Sequence, residues 1–256
     1  SLSSSANASI SSSSGNKCTI TTKSVETEEN LTLTCVVTTT DGKKVQKTFA
    51  ITLQERPSYI IATYNVTSTS TTTQLLSSSY SLGNVNYMEI DGVVVTKTLS
   101  YKFTSIGMHS VKYTLNTLQS AFRDVSTLAS IDFSECNGKK YNDVTYLFYN
   151  CNNLASIEWG NCDLSNVTSF GASFYGLSSI TQIDLSSFTG AKITDLSYSF
   201  TNCSNLGTID FTPLDTSVRP SGYSYTFYGC TSLTKIYFPW QRAPTVSSNT
   251  FGTDTN

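Results

Sequence analysis

The chain reads as mainly β, with short β modules in its N-terminal half and a solenoid of stacked repeats from about Leu118 onward. Three observations predict this. Phenylalanine recurs at Phe122, Phe148, Phe174, Phe200 and Phe227, at spacings of 26, 26, 26 and 27 residues. Residues before 118 alternate apolar and polar in several short runs and show no helical period. Only 13% of residues are charged, against about 25% in an average domain. Ser, Thr, Asn and Tyr take their place and predict a surface rich in hydroxyls and amides.

The repeat carries more than its phenylalanine. Six residues after each Phe comes Leu128, Leu154, Ile180, Leu206 or Leu233. Three further on stands Ile131, Ile157, Ile183, Ile209 or Ile236. Two more bring Phe133, Trp159, Leu185, Phe211 or Phe238. The spacing L-x-x-I-x-F predicts a short strand whose last two apolar residues face one side. The Phe and the residue three after it (Val125, Cys151, Leu177, Cys203 and Cys230) predict a tight helical turn on the opposite wall. One rung cannot bury its own apolar face, so stability is a sum over neighbouring rungs. Phe251 in SSNTFG reads as a sixth rung cut short. More chain, or a partner, is expected at that end.

The first half divides at Glu55-Arg56-Pro57-Ser58. Before it, Cys18–Ile20, Leu31–Val37 and Phe49–Leu53 alternate, with Asp41-Gly42 as a hairpin turn between the last two. After it, strands are predicted in SYIIATYNVTS, VNYMEI, GVVVTKTLSYKF and HSVKYTL, with a turn at Asp91-Gly92. The expected domains are a partial β module at 1–56, a second small β module at 57–117 that caps the repeats, and the repeats at 118–256. An uncapped end would leave strand edges and core open.

The segments FYNCNNLASIEW, FTNCSNLGTIDF and FYGCTSLTKI resemble the BspA-like class of leucine-rich repeats, in its 26-residue Mycoplasma and Bacteroidetes variety. Cys136 and Cys162 fall at the N/C position of the leucine-rich signature. The tail QRAPTVSSNTFG is similar to the closing segment of such proteins. The first 54 residues more loosely resemble the later strands of bacterial Ig-like domains, as if the chain began partway through one. The implied fold is one or two Ig-like β-sandwich modules followed by a leucine-rich-repeat solenoid, with a short strand and a helical turn per rung. The resemblance implies an exported extracellular or cell-surface protein, anchored in the outer membrane if the source is one of the Bacteroidetes. It would adhere to a host protein, matrix or glycan through the repeat face. The alternative is a spacer or stalk of a larger surface protein or phage appendage, with no ligand site of its own.

Two stripes are candidates for binding. Asp132, Glu158, Asp184, Asp210 and then Tyr237 stand between the two inward strand positions of successive rungs. Alternation turns them outward, and stacking brings like charges about 5 Å apart. A basic ligand, a cation, or hydrogen bonds from Ser130, Ser156, Ser186 and Thr212 would offset the repulsion. Equally, Asp here is a repeat consensus residue, solvated or hydrogen-bonded. The second stripe is aromatic. Tyr149, Tyr175 and Tyr228 follow the anchoring Phe, and Tyr146, Tyr198 and Tyr225 precede it by two. Tyrosine joins an apolar ring to a polar tip, which suits sugar and protein contacts as well as packing between rungs.

Other chemistry finds little support. The net charge is −2 and no basic run occurs, so nucleic acid is set aside. No stretch approaches 18 apolar residues, so no membrane-spanning helix is expected. Seven cysteines and one histidine match no zinc spacing, and no metal or cofactor is expected. Cys136–Cys162 and Cys203–Cys230 occupy equivalent places in adjacent rungs, where a disulfide is allowed and stacked free thiols are commoner. Cys18 and Cys35 are a further possible pair. With His109 as the only possible imidazole base and no GxSxG motif, no catalytic residue is expected.

Overall fold

A computed structural model describes residues 8–14, 17–22, 29–38, 41–53, 58–240 and 249–252. The chain forms two units, 1–57 and 58–256. In the first, β1 (Ala8–Ser14) pairs antiparallel with β2 (Lys17–Thr22). Likewise β3 (Glu29–Thr38) pairs with β4 (Lys44–Leu53), from Glu29↔Leu53 to Thr38↔Lys44. The turn between them holds Asp41-Gly42, with Gly42 at φ +81°, a conformation that costs glycine nothing. The Cys18 and Cys35 side chains lie outside the described residues.

The second unit opens with β5 (Ile60–Val66), β6 (Thr73–Gln74), β7 (Val85–Ile90), β8 (Val93–Val94), β9 (Ser100–Tyr101) and β10 (Gly107–Leu115). The repeats supply β11 (Leu128–Asp132), β12 (Ser156–Glu158), β13 (Gln182–Ile183), β14 (Thr208–Asp210) and β15 (Lys235–Tyr237). One sheet has the order β12-β11-β5-β10-β7-β8. Within it β5 pairs antiparallel with β11, so the first rung is hydrogen-bonded on its outer side to the preceding segment. The strand expected over residues 92–103 is broken into β8 and β9. The chain leaves the sheet there because the Leu99 carbonyl accepts from the N–H groups of Leu75 and Leu76.

The wall opposite the strands is not the helical turn that the spacing suggests. In the first rung the N–H groups of Ser120, Phe122 and Asp124 donate to the Thr145, Leu147 and Tyr149 carbonyls of the next rung, at 3.0, 3.1 and 2.7 Å. Those of Ala121, Arg123 and Val125 donate instead to carbonyls three residues back. The same alternation recurs through the rung of Phe200. A helical turn would keep its N–H groups within the rung and leave no bond between rungs. The alternation requires left-handed residues, two before and two after each Phe. Ser120, Tyr146, Ala172, Tyr198 and Tyr225 hold the first place, at φ +52° to +57°. Asp124, Asn150, Gly176, Asn202 and Gly229 hold the second. Short 3-10 turns occur elsewhere, directly after strands, at Ser134–Cys136 and Ser186–Phe188.

Between the walls the anchoring phenylalanines form a column. Centroid separations are 6.0, 6.4, 5.3 and 5.7 Å from Phe122 to Phe227, and Phe251 continues the column at 5.5 Å. At the other end Tyr113 of β10 meets Phe122 edge-on at 6.0 Å. One buried cluster therefore runs from Ile60 to Phe227. Tyr64 and Tyr113 share a 2.8 Å hydroxyl contact beneath the first rung, which satisfies both buried polar tips.

The strand wall is interrupted once. β11 pairs with β12, and β13 pairs with β14 and β14 with β15, all parallel. No ladder joins β12 to β13. Trp159 lies at this step, in a position that holds Phe or Leu in the other rungs. Its indole stacks on Phe133 at 5.1 Å and meets Phe188 edge-on at 5.1 Å. The buried Nε1–H has no acceptor among the described residues. Next to it, Gly160 sits at φ +52°, and a Cβ there would lie 2.3 Å from Ser134 Cα.

Two predictions follow from this corner. In Trp159→Phe, loss of packing is opposed by removal of an orphaned donor that costs about 1–3 kcal/mol. Urea unfolding should place this variant within about 1 kcal/mol of the parent, while Trp159→Ala should lose about 3–5 kcal/mol. Gly160→Ala should cost at least about 2 kcal/mol, because backbone and not a flexible side chain blocks the new methyl.

Candidate functional site

The acidic stripe is outward, as alternation requires, and is stacked in two pieces. Asp132 stands beside Glu158, and Asp210 beside Tyr237. The break between β12 and β13 separates Glu158 from Asp184. Three of the carboxylates are engaged within their own rung. Asp132 Oδ1 accepts from the Ser134 N–H at 2.7 Å, and Asp210 Oδ1 from the Thr212 N–H at 2.8 Å. Asp184 accepts from both the N–H and the hydroxyl of Ser186 at 2.8 Å. Each closes the turn that leaves its strand. The other two rungs differ in the outward residue itself and in the residue two further on. After Glu158 comes Gly160 in a left-handed conformation, and after Tyr237 comes Pro239, which has no N–H to offer.

The tyrosines lie on the phenylalanine wall in two columns. The column one residue after the Phe reads Arg123, Tyr149, Tyr175, Thr201, Tyr228. Tyr149 and Tyr175 stack at 4.5 Å with planes 17° apart. The Arg123 guanidinium covers Tyr146 and Tyr149, 5.1 Å from each centroid, and its charge is paired with Asp124 at 3.3 Å. Thr201 separates Tyr228 from the other two. The column two residues before the Phe reads Ser120, Tyr146, Ala172, Tyr198, Tyr225. There Tyr198 and Tyr225 stack at 5.1 Å and 10°. Tyr146, Tyr198 and Tyr228 remain 41%, 43% and 38% exposed. Tyr237 stands apart from both columns, exposed on β15. Partial burial and the neighbouring Tyr175 raise the Tyr149 hydroxyl above the usual tyrosine value.

A set of polar residues with a visible spacing went unread in the sequence. Thr117, Asp143, Ser169 and Asp195 stand five before each Phe. Their side chains accept from the N–H two residues on, at Gln119, Thr145, Gly171 and Ser197, at 2.8 to 3.2 Å. They start each turn of the phenylalanine wall. The fifth rung has Gly222 there, and a Cβ would lie 2.2 Å from the Asp195 carboxylate.

His109 offers the residue types of a hydrolase without the arrangement. Its Nδ1 lies 2.7 Å from Asp91 Oδ2, and its Nε2 lies 3.4 Å from Ser105 Oγ. The Ser105 carbonyl oxygen is closer, at 3.0 Å. Both ring nitrogens are engaged by acceptors closer than the hydroxyl, so the ring is not aimed at Ser105 Oγ as a general base would be. The ring packs on Phe103 at 4.2 Å and ties the Asp91-Gly92 turn to the start of β10. Among the described residues no cluster of His, Cys, Asp and Glu could hold a metal ion. No helix there is long and apolar enough to cross a membrane.

One carboxyl yields a pH prediction. Asp163 accepts from the Ser165 hydroxyl at 2.6 Å and its N–H at 3.1 Å, with Lys140 at 3.8 Å. The Ser165 bonds, with a smaller contribution from Lys140, hold this carboxyl below the usual aspartate range. A depressed folded-state value stabilises the fold above the unfolded value of about 3.9, and that stability is lost as pH falls through the folded value. Asp163→Asn should therefore lower stability by about 0.5–1 kcal/mol at pH 7, and the difference from the parent should close as pH falls through the lowered folded value. Thermal melts from pH 7 to pH 2 test this.

No curated protein and no solved structure matches the chain. The family described as BspA type leucine rich repeat region (6 copies) matches residues 119–256. That span exceeds half of the sequence and covers every rung described above. The chain belongs to the BspA-type leucine-rich-repeat family.

Proposed function

We propose that this protein is an exported cell-surface interaction module that binds a host protein, matrix component or glycan through the tyrosine columns of its repeat solenoid. Proteins with such repeats typically work at bacterial surfaces or in secretion, which supports the location and the binding role. Residues 57–117 act as the cap of the solenoid, and residues 1–56 as an Ig-like module in front of it.

The observation that carries the choice of face is the backbone under Tyr146, Tyr198 and Tyr225. A left-handed conformation costs a bulky residue about 1–2 kcal/mol. The same position accepts Ser120 and Ala172, so folding does not demand a ring there. Large, half-exposed rings on a strained but rigid backbone are well suited to a ligand that must be met without loss of side-chain freedom. Asp132, Asp184 and Asp210 are engaged in turns and form a weaker candidate face, with Glu158 and Tyr237 outward beside them.

Binding of the full chain to glycan and host-protein arrays tests this reading. The triple variant Tyr146→Ala, Tyr198→Ala, Tyr225→Ala should lose roughly tenfold or more in affinity, since Ala172 already occupies the same position in the third rung. The variant Asp184→Asn, Asp210→Asn should lose far less. The reverse order, with both variants folded by circular dichroism, would move the site to the strand face. Failure of the parent to bind any array member would favour the spacer alternative.

A further inference from the structure

The five cysteines whose side chains are described are free thiols, but they are not equivalent. Cys151, Cys203 and Cys230 occupy one column, three residues after the anchoring Phe. Each Sγ lies 2.9 Å from the carbonyl oxygen of the Phe in the preceding rung. Cys151 has Val125 and Leu177 as its column neighbours, so it has no sulfur beside it. Cys203 and Cys230 are neighbours in the column, each donating to the Phe carbonyl of the rung before its own. The Cα atoms of neighbouring rungs lie about 5 Å apart, inside the range of about 4.4–6.8 Å that a disulfide needs. Cys203 is buried and Cys230 is partly exposed, so a reagent can reach one thiol of the pair.

The other adjacent pair, Cys136 and Cys162, is buried at both sulfurs. There the hydrogen bond to Cys136 and burial push the Cys162 thiol far above its usual value. At Cys230 the balance is opposite: the neighbouring Cys203 outweighs burial and lowers it. A reagent must reach the sulfur it reacts with, so reactivity belongs to the partly exposed Cys230 and not to the buried Cys203.

We infer that Cys203 and Cys230 are an oxidative modification site, where a small-molecule disulfide closes a covalent staple between the fourth and fifth rungs. The Cys230 thiolate attacks one sulfur of the reagent, forming a mixed disulfide and releasing one thiol. Cys203 then gives up its proton and attacks Cys230 Sγ, releasing the second thiol. Two protein thiols are oxidised, and one reagent disulfide is reduced to two thiols. The staple links the rung that ends in β15 to the rest of the stack.

The test is the full chain equilibrated across a series of oxidised-to-reduced glutathione ratios, then alkylated and peptide-mapped by mass spectrometry. A Cys203–Cys230 cross-link should appear at more reducing ratios than any Cys136–Cys162 cross-link, and Cys151 should stay unlinked. Cys203→Ser should trap glutathione on Cys230. Cys230→Ser should leave Cys203 unmodified until the protein is denatured. Circular dichroism of both variants confirms that the rungs are intact, and serine can keep the bond to the carbonyl. A Cys136–Cys162 cross-link forming first would overturn the inference, and so would a Cys230 that carries glutathione in the parent without passing it to Cys203.

Discussion

The structure depends on how the phenylalanine wall divides its backbone N–H groups. Alternate groups close turns inside a rung, and the others reach the next rung. Without that division each rung would be a self-contained loop, held to its neighbours by greasy contact alone. With it, the wall bonds along the stack as regularly as the strands do opposite. The left-handed residues two before and two after each Phe are the cost of the division. The turn-starting side chains at Thr117, Asp143, Ser169 and Asp195 set its register.

Core chemistry follows from this framework. The phenylalanine column fills the space between the two walls, and the small polar residues beside it are used to tie rungs together. Ser173, Ser199 and Thr226 are fully buried, yet each hydroxyl donates to a carbonyl of the rung before it. The thiols of Cys151, Cys203 and Cys230 do the same one turn later. A hydroxyl or thiol is thus acceptable in the core because the framework presents a carbonyl at the right place. Among the described residues the indole N–H of Trp159 is a buried donor without such a place.

Much of this was legible in the sequence, and the exceptions have physical reasons. Spacing located the Phe column, the strands and their outward residues, because burial selects residue type at every rung. The family of the repeats could be recognised from the same positions. The conformation of the phenylalanine wall was not evident, since apolar residues three apart suit a helical turn and an alternating one equally. A better signal was present in Asp124, Asn150, Gly176, Asn202 and Gly229, the residue types that tolerate a left-handed backbone best. The partner column gave no such signal, because tyrosine does not announce that conformation. Engagement of the Asp stripe in turns was half visible, in the Ser or Thr that follows by two wherever Asp is used.

The missing ladder between β12 and β13 has a mechanical consequence. Directly across the stack from it, Tyr149 and Tyr175 are pressed to 4.5 Å, while Phe148 and Phe174 between them in the core stand 6.4 Å apart. On the strand side the two rungs are tied at the flanks of the gap, by the Leu164 N–H to the Ser187 carbonyl at 3.2 Å and the Ser179 hydroxyl to the Asn152 carbonyl at 2.6 Å. With no strand ladder here, those flanking bonds, the phenylalanine wall and the tyrosine stack hold the two rungs together. A ligand that grips Tyr149 and Tyr175 together would therefore add a tie between rungs at the one step that lacks a strand ladder.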